Sequence, residues 1–180
     1  MMVVRPDEMA ALRAAAIDDP DVPDAIKRFL VAGAALEEIR LDAMGRWTHE
    51  GGRFENEKLA ALFGRSLEQT PAGTWLLRIA PYTYPVIVEK TGFFVLQVDV
   101  RAAGEWIARL SDGTTEAIDL SSLRTDGDTV ITSRVHGGRH DARWIGRAWH
   151  WAAQHLDHDG MDWLLRVGDE AIGLQTLAAD

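Results

Sequence analysis

WLLRI at residues 75–79 recurs as WLLRV at residues 163–167, and this repetition sets the architecture that we expect. Upstream of each copy stands a GGR triplet, at residues 51–53 in the first case and at residues 137–139 in the second. In both copies a helix-like segment and a glycine-containing loop separate the triplet from the strand-like WLLR segment. Because the GGR and WLLR motifs recur at matched distances on either side of a helix, they predict a duplicated strand–Gly-Gly-Arg–helix–strand unit. The alternative is convergent use of good strand-forming residues.

The alignment of the two triplets fixes an offset of 86 residues between the copies. At that offset, three apolar positions of the two helices coincide: Leu59 with Ile145, Leu62 with Ala148, and Phe63 with Trp149. Apolar residues spaced three and four apart are typical of an amphipathic helix that packs one face on a core. We therefore predict helices over residues 56–68 and 141–156, each followed by the recurring strand.

The rest of the chain supplies two N-terminal helices and a series of strands. Residues 6–17 have apolar residues at helical spacing, and the turn at residues 18–24, rich in Pro and Asp, precedes a second helix with Ile26, Phe29 and Leu30 on one side. Runs of β-branched and aromatic residues between turn residues predict antiparallel strands at residues 39–41, 47–49, 74–80, 86–89, 93–100, 106–110, 116–120, 129–135, 161–167 and 171–177. The chain thus divides into three parts: an N-terminal helical segment at 1–37, a first structural repeat at 38–104 and a second structural repeat at 105–180.

Composition and charge indicate a globular protein. Of the 180 residues, 47% are hydrophobic and 26% are charged, which is typical of a chain that buries a core. A net charge of −9 and a pI near 5.1 oppose non-specific binding to nucleic acid or anionic membranes. The longest uncharged run, residues 79–88, is about half the length that a membrane span requires. Residues 1–8 lack the apolar stretch of a signal peptide, so we expect a cytoplasmic protein.

The sequence lacks the common catalytic and cofactor motifs. It contains no cysteine, which excludes disulfides, thiolate metal sites and cysteine nucleophiles. His49-Glu50 is followed by Arg53 instead of the second His of a zincin helix, and neither a Gly-x-Ser-x-Gly elbow nor a phosphate-binding loop occurs. His155 and His158 with nearby aspartates have metal-ligand character, although a solvated helix end explains the same residues. We expect no catalytic residue, no metal and no cofactor.

Three motifs carry a resemblance to a known family: GRWTHEG at residues 45–51, LAALFGRSL at residues 59–67, and ARWIGR at residues 142–147. With them, residues 42–174 resemble the bacterial domain-of-unknown-function 1285 (DUF1285) family. The resemblance implies an α+β fold of two duplicated hairpin–helix–strand units with antiparallel sheets, superficially like pleckstrin-homology domains. It also implies a ligand cleft between the two units and a role in signalling or regulation, but no known activity.

The predicted second-repeat helix carries the most informative surface. At about 100° per residue, Arg143 and Arg147 lie on one side, opposite an apolar stripe that contains Ala148. Trp144 and Trp151 lie beside the arginines and outside that stripe. An exposed Trp beside Arg requires something that covers it. Three explanations stay open: packing against the chain's own first unit or N-terminal helices, a symmetric dimer interface, and the wall of a ligand cleft.

The third explanation gives the functional interpretation. Guanidinium groups bind carboxylate or phosphate, and indole offers a flat apolar contact, so the pair suits a small anionic ligand with a planar or aromatic part. We interpret the chain as a non-catalytic ligand-binding or regulatory module. The candidate ligand-binding residues are Trp47, His49, Arg53, Arg143, Trp144, Arg147 and Trp151. Two other classes stay open: a hydrolase that uses His49 or the pair His155 and His158, and a scaffold that forms a homodimer.

Overall fold

A computed structural model of the chain describes residues 6–101, 104–127 and 129–177. The chain divides into two compact units, unit 1 at Met1–Gly92 and unit 2 at Phe93–Asp180. The three-part division at residues 37/38 and 104/105 stays a sequence-based prediction. None of the helices in the described ranges has the length and the apolar run needed to cross a bilayer. The prediction that the chain lacks a signal peptide rests in part on residues 1–5, which lie outside the described residues.

Unit 1 begins with two helices, α1 (Pro6–Asp18) and α2 (Asp24–Val31), as the sequence predicted. Ala16 of α1, Val22 of the turn and Leu30 of α2 form one buried cluster with Leu76. The prediction that Phe29 faces this core is wrong, because its side chain is 60% exposed. Since α2 has only two turns, Ile26 and Leu30 occupy the side that meets the core, and Phe29 points away from it.

In the part of unit 1 that the structure describes, the remaining elements are a helix and seven short strands. The helix is α3 (Glu57–Ser66), whose N-cap residue Asn56 accepts hydrogen bonds from the first backbone N–H groups. The strands are β1 (Ile39–Leu41), β2 (Trp47–His49), β3 (Gly52–Arg53), β4 (Leu67–Gln69), β5 (Trp75–Ile79), β6 (Tyr82–Pro85) and β7 (Ile87–Val88). They form two sheets with the orders β3-β2-β1-β7 and β4-β5-β6. The strand β6 stands where prolines predicted a turn, and Pro85 lies at its last position, where a missing N–H is tolerated.

The described residues of unit 2 form one mixed sheet of nine strands. They are β8 (Phe93–Val100), β9 (Trp106–Leu110), β10 (Thr115–Ala117), β11 (Arg124–Thr125), β12 (Ile131–Val135), β13 (His140–Trp144), β14 (Leu156–His158), β15 (Trp163–Val167) and β16 (Glu170–Thr176). Their order is β10-β9-β8-β13-β12-β11-β16-β15-β14, with β8–β13 and β11–β16 as parallel pairs. One helix, α4 (Gly146–His155), packs Ala148 and Ala152 into the core. A short 3-10 helix at Leu120–Ser122 takes the place of the end of the strand predicted at residues 116–120.

The two units repeat one connectivity. In unit 1 a hairpin of β1 and β2 leads through β3, α3 and β4 to β5, and β7 returns parallel to β1. In unit 2 the hairpin of β11 and β12 leads through β13, α4 and β14 to β15, and the long β16 returns parallel to β11. The recurring Arg of each copy forms the same cross-strand ion pair, Arg78 with Glu68 and Arg166 with Asp157. This internal duplication confirms the predicted α+β class.

The sequence predicted an offset of 86 residues between the two helices, and this offset is wrong by three residues. The turn between β2 and β3 has two residues beyond the pair His49–Gly52, whereas the turn between β12 and β13 has four beyond the pair Val135–His140. Helices α3 and α4 each have 10 residues and lie at an offset of 89, not 86. Residues 141–144, predicted as helix, form a strand because they pair on both sides, with β12 and with β8.

Candidate functional site

Two of the predicted ligand residues of unit 1 differ sharply in exposure. Trp47 is buried in β2, and its ring meets Phe63 of α3 edge to face, with centroids 5.3 Å apart. Trp47 therefore anchors α3 on the sheet, as an aromatic pair does in a core. Arg53, at the end of β3, is exposed. Only Arg53 of this pair offers a polar group to solvent.

The imidazole of His49 already has two neighbours in unit 1. Its Nε2 lies 2.8 Å from Oε2 of Glu37, and its ring stacks on Phe54 at an interplanar angle of 16°. The local sequence offered no acidic partner, because Glu37 lies on the segment before β1 and reaches His49 through the β1–β2 pairing. A carboxylate that hydrogen-bonds one ring nitrogen fixes the orientation of the imidazole. This pair is exposed, with side-chain accessibilities of 41% and 67%.

Both tryptophans of the predicted arginine-bearing helix face pack inside unit 2. Trp144 belongs to β13, is 0% exposed, and its indole N–H donates a hydrogen bond to Oγ of Ser133 at 3.0 Å. Trp151 of α4 is half-buried, and its ring lies edge-on to Trp106 with centroids 5.1 Å apart. The rings of Trp144 and Trp151 are tilted neighbours at 6.4 Å. The placement of Trp144 on an exposed helix face is therefore wrong.

Arg143 and Trp151 lie on opposite sides of the unit 2 sheet. Because side chains alternate along a strand, Arg143 points to the face opposite the one that carries Trp144. Trp151 contacts Trp144 and so belongs to the Trp144 side. Arg147, in the first turn of α4, is exposed. The predicted cluster of Arg143, Trp144, Arg147 and Trp151 on one helix face is corrected accordingly, since the helix begins at Gly146.

Arg143 belongs instead to a polar sheet face, which we call the arginine face and define by Arg124, Arg134, Arg143 and Asp141. The strand register places Gln175, Arg124, Thr132 and Arg143 in one row across β16, β11, β12 and β13. Arg134 and Asp141 form the next row on the same face. Nε of Arg134 lies 3.1 Å from Oδ1 of Asp141, and Nη1 of Arg124 lies 3.9 Å from the same oxygen.

The charge balance of the arginine face is positive. These two rows hold three guanidinium groups and one carboxylate, and Asp141 forms ion pairs with Arg124 and Arg134. Nε of Arg143 is shielded from solvent and has no hydrogen-bond partner among the described residues. A buried N–H without an acceptor costs free energy, so an acceptor at Arg143 is favoured. Carboxylate and phosphate oxygens match guanidinium geometry best.

Each of the two histidines that suggested a metal site uses its Nδ1 in a local hydrogen bond. Nδ1 of His155 lies 2.7 Å from the carbonyl oxygen of Trp151, and Nδ1 of His158 accepts a hydrogen bond from the N–H of Gly160. His158 also packs its ring against Trp163. In the ranges that the structure describes, no group of three His, Cys, Asp or Glu side chains is arranged to hold a metal ion.

Sequence reasoning missed a histidine at the turn between β12 and β13. His136 adopts a φ of +54°, its Nε2 lies 3.0 Å from Oδ2 of Asp112, and its backbone N–H donates to the carboxylate of Glu116. Its ring also lies near His140, whose pKa is lowered by burial and by the neighbouring charges of His136 and Arg139. The sequence signal was weak, because the two acids lie on another hairpin, some twenty residues away.

Two repeated hairpin–helix–strand units define the class of this protein, an internally duplicated α+β fold. A DUF1285 family protein from Silicibacter pomeroyi DSS-3 shares this fold with a TM-score of 0.57 at 14% identity, over 79% of this chain and 81% of that chain. A second, from Shewanella baltica OS155, has a TM-score of 0.49 at 20% identity, over 64% of this chain and 88% of that chain. No protein-family model and no curated protein matches the chain.

The chain therefore has a DUF1285-like fold, as the sequence resemblance predicted. The name of that family marks a domain of unknown function and supplies no ligand or reaction. Any function must be argued from the side chains of this chain.

Proposed function

We propose that the chain is a non-catalytic ligand-binding module and that unit 2 binds a small anion on the arginine face. The observation that carries this proposal is Arg143, whose shielded Nε lacks an acceptor among the described residues. Its row neighbour across β12 is a second arginine, Arg124. Two guanidinium groups on one rigid sheet suit a carboxylate or a phosphate group.

Only the positive charge of the arginine face defines the class of ligand that we propose. Trp144 and Trp151 lie on the other side of β13, so the sequence-based reason for an aromatic part of the ligand falls away. Asp141, the carboxylate that defines the arginine face, lies directly opposite Arg134 and forms an ion pair with it. Arg143 lies two residues farther along β13, in the other row. The assignment of Trp47, His49, Arg53 and Arg147 to a ligand site, and the cleft between the repeats, stay predictions.

The first test compares Arg143→Gln with Arg109→Gln, an exposed arginine of β9 in the same unit. We expect inorganic phosphate or benzoate to raise the thermal midpoint of the natural protein and of Arg109→Gln, but not of Arg143→Gln. At a ligand concentration of about 100 times Kd, binding adds about 2.7 kcal/mol to the free energy of unfolding. Sodium chloride at equal ionic strength controls for screening. An equal shift in Arg143→Gln would contradict the proposal.

A comparison of the native mass spectrum with the mass of the denatured protein distinguishes the ligand-binding module from the other two classes, the hydrolase and the dimeric scaffold. Extra mass that is lost on denaturation, and is absent from Arg143→Gln, supports a bound small anion. A stoichiometric transition metal on the folded protein would favour the hydrolase. A dimer without any adduct would favour the scaffold.

A further inference from the structure

We propose that the arginine face selects a doubly charged phosphoryl group over a carboxylate. This inference rests on the anion site proposed above and names the ligand class of that site. A free phosphate ion and a small phosphomonoester share the required chemistry, a tetrahedral group with three acceptor oxygens and about two negative charges at neutral pH. Three features of the face support this selection: the reach of Arg124, the position of Thr132 and the excess of positive charge.

The guanidinium group of Arg124 reaches across one strand toward β13. Arg124 belongs to β11, and β12 lies between β11 and β13. Neighbouring strands are about 4.8 Å apart, so β11 and β13 are about 10 Å apart. Nη1 of Arg124 nevertheless lies 3.9 Å from Oδ1 of Asp141, a residue of β13. Arg124 therefore carries its positive charge over β12 to the strand that holds Arg143, two residues beyond Asp141.

Thr132 places a hydroxyl group between the two arginines. It pairs with Arg124 on one side and with Arg143 on the other, so the three side chains stand in one row on the same face. Both Thr132 and Arg143 are half-buried, which leaves part of each side chain open to solvent. A hydroxyl and two guanidinium groups offer donors from three directions, which match the oxygens of a tetrahedral phosphoryl group. A planar carboxylate has two oxygens in one plane, which suit the fork of a single guanidinium.

The charge of the face also favours a dianion. Within the two rows, the arginine face has an excess of two positive charges, because three guanidinium groups stand with one carboxylate. Coulomb energy is proportional to the product of the charges, so a dianion gains about twice what a monoanion gains in the same field. The side chains of Arg124 and Asp141 are 33% and 48% accessible. A group bound beside them stays partly hydrated, which limits the cost of desolvating its two charges.

The competing explanation is that Asp141 neutralises Arg124 and Arg134 and leaves Arg143 to act alone. Oδ1 of Asp141 lies 3.1 Å from Nε of Arg134 but 3.9 Å from Nη1 of Arg124, so Arg134 is the closer of the two. An accessible ion pair at the longer distance contributes little free energy, so a doubly charged ligand can draw Arg124 away from Asp141. If Arg143 acted alone, a carboxylate and a phosphoryl group would bind with similar affinity, and Arg124 would not matter.

Phenyl phosphate is the probe, and benzoate is the control with the same ring and a single charge. In calorimetric titration of the whole chain at pH 7.5 and constant ionic strength, we expect phenyl phosphate to bind at least about tenfold more tightly than benzoate. At pH 5, below the second pKa of a phosphate group near 6, phenyl phosphate is mainly a monoanion, and we expect most of this preference to vanish. The ratio of the two affinities is the readout, because protonation of the chain's own histidines acts on both ligands. Inorganic phosphate in the same titration shows whether the site takes the ion itself or needs the organic part of an ester.

Arg124→Gln and Thr132→Val test the row, and Arg109→Gln and Thr115→Val are the matched controls at exposed positions of β9 and β10. We expect Arg124→Gln to lower the affinity for phenyl phosphate to near that for benzoate. We expect Thr132→Val to weaken phenyl phosphate about tenfold, because a hydrogen bond to a charged group is lost. Both controls should keep the preference of the natural chain.

Equal affinities for phenyl phosphate and benzoate at pH 7.5, a preference that persists at pH 5, or unchanged affinity in either row variant would overturn the inference. The proposed function would survive such a result if Arg143→Gln abolished the binding of both ligands. If neither ligand bound the natural chain, the anion site itself would be refuted, and this inference with it.

Discussion

At the scale of single residues, the turn between α1 and α2 depends on one buried carboxylate. Asp19 is 3% exposed and accepts hydrogen bonds from Oγ1 of Thr70 at 2.5 Å and from the N–H of Asp21 at 2.9 Å. Burial alone would raise the pKa of Asp19, but the hydrogen bonds from Thr70, Thr74 and Asp21 lower it below its ordinary value. Asp19 thus ties the N-terminal helices to the loop that precedes β5.

The lowered pKa of Asp19 predicts an acid-sensitive contribution to stability. A carboxyl whose folded pKa is depressed stabilises the protein above its unfolded pKa, near 3.8, and this stabilisation is lost as the pH falls through the lower folded value. We expect Thr70→Val to reduce stability at neutral pH and to flatten the loss of stability below about pH 4. Urea unfolding from pH 2 to pH 7 measures both effects. Thr115→Val, at an exposed position of β10, should keep the natural profile, and a profile unchanged in Thr70→Val would refute the role of Asp19.

At the scale of elements, the boundary between β13 and α4 depends on Gly146. Its φ is +54°, a value that costs an L-residue about 1–2 kcal/mol. We expect Gly146→Ala to lower the free energy of unfolding by about that amount. Gly173 of β16 has no neighbour within 4 Å of an added Cβ and no positive φ, so Gly173→Ala should change stability by less than about 1 kcal/mol. Chemical denaturation of the two variants compares them, and equal losses would show that strain at Gly146 is unimportant.

The same boundary shows why the sequence predicted the repeated WLLR strands correctly but placed the start of the second-repeat helix wrongly. The repeated WLLR strands and the hairpin of β1 and β2 follow local patterns, and these predictions are confirmed. Residues 141–144 also fit a helical pattern, but their pairing with β12 and β8 is a long-range effect that no local pattern reports. Four of the seven candidate residues, Arg143, Trp144, Arg147 and Trp151, were chosen on that helical geometry, and the structure does not support this reason for choosing Arg143. Its true neighbours, Arg124 and Arg134, lie on strands that only the sheet register brings together.

At the scale of the whole molecule, the duplication gives each unit a core of its own. Leu77 of β5 pairs with Leu67 of β4, and Leu165 of β15 pairs with Leu156 of β14 at the matching place in unit 2. Both Leu77 and Leu165 are buried. The repeat therefore offers the same substitution in two separate cores.

We expect Leu77→Ala and Leu165→Ala each to lower the free energy of unfolding by about 2–5 kcal/mol, through lost burial and the cavity left behind. Because each leucine serves the core of its own unit, amide hydrogen exchange should rise chiefly in unit 1 for Leu77→Ala and in unit 2 for Leu165→Ala. Leu62→Ala, at an exposed position of α3, is the control and should leave exchange near that of the natural protein. A uniform rise across all strands for either core variant would contradict separate cores, because it would mean that one opening reaction exposes the strands of both units.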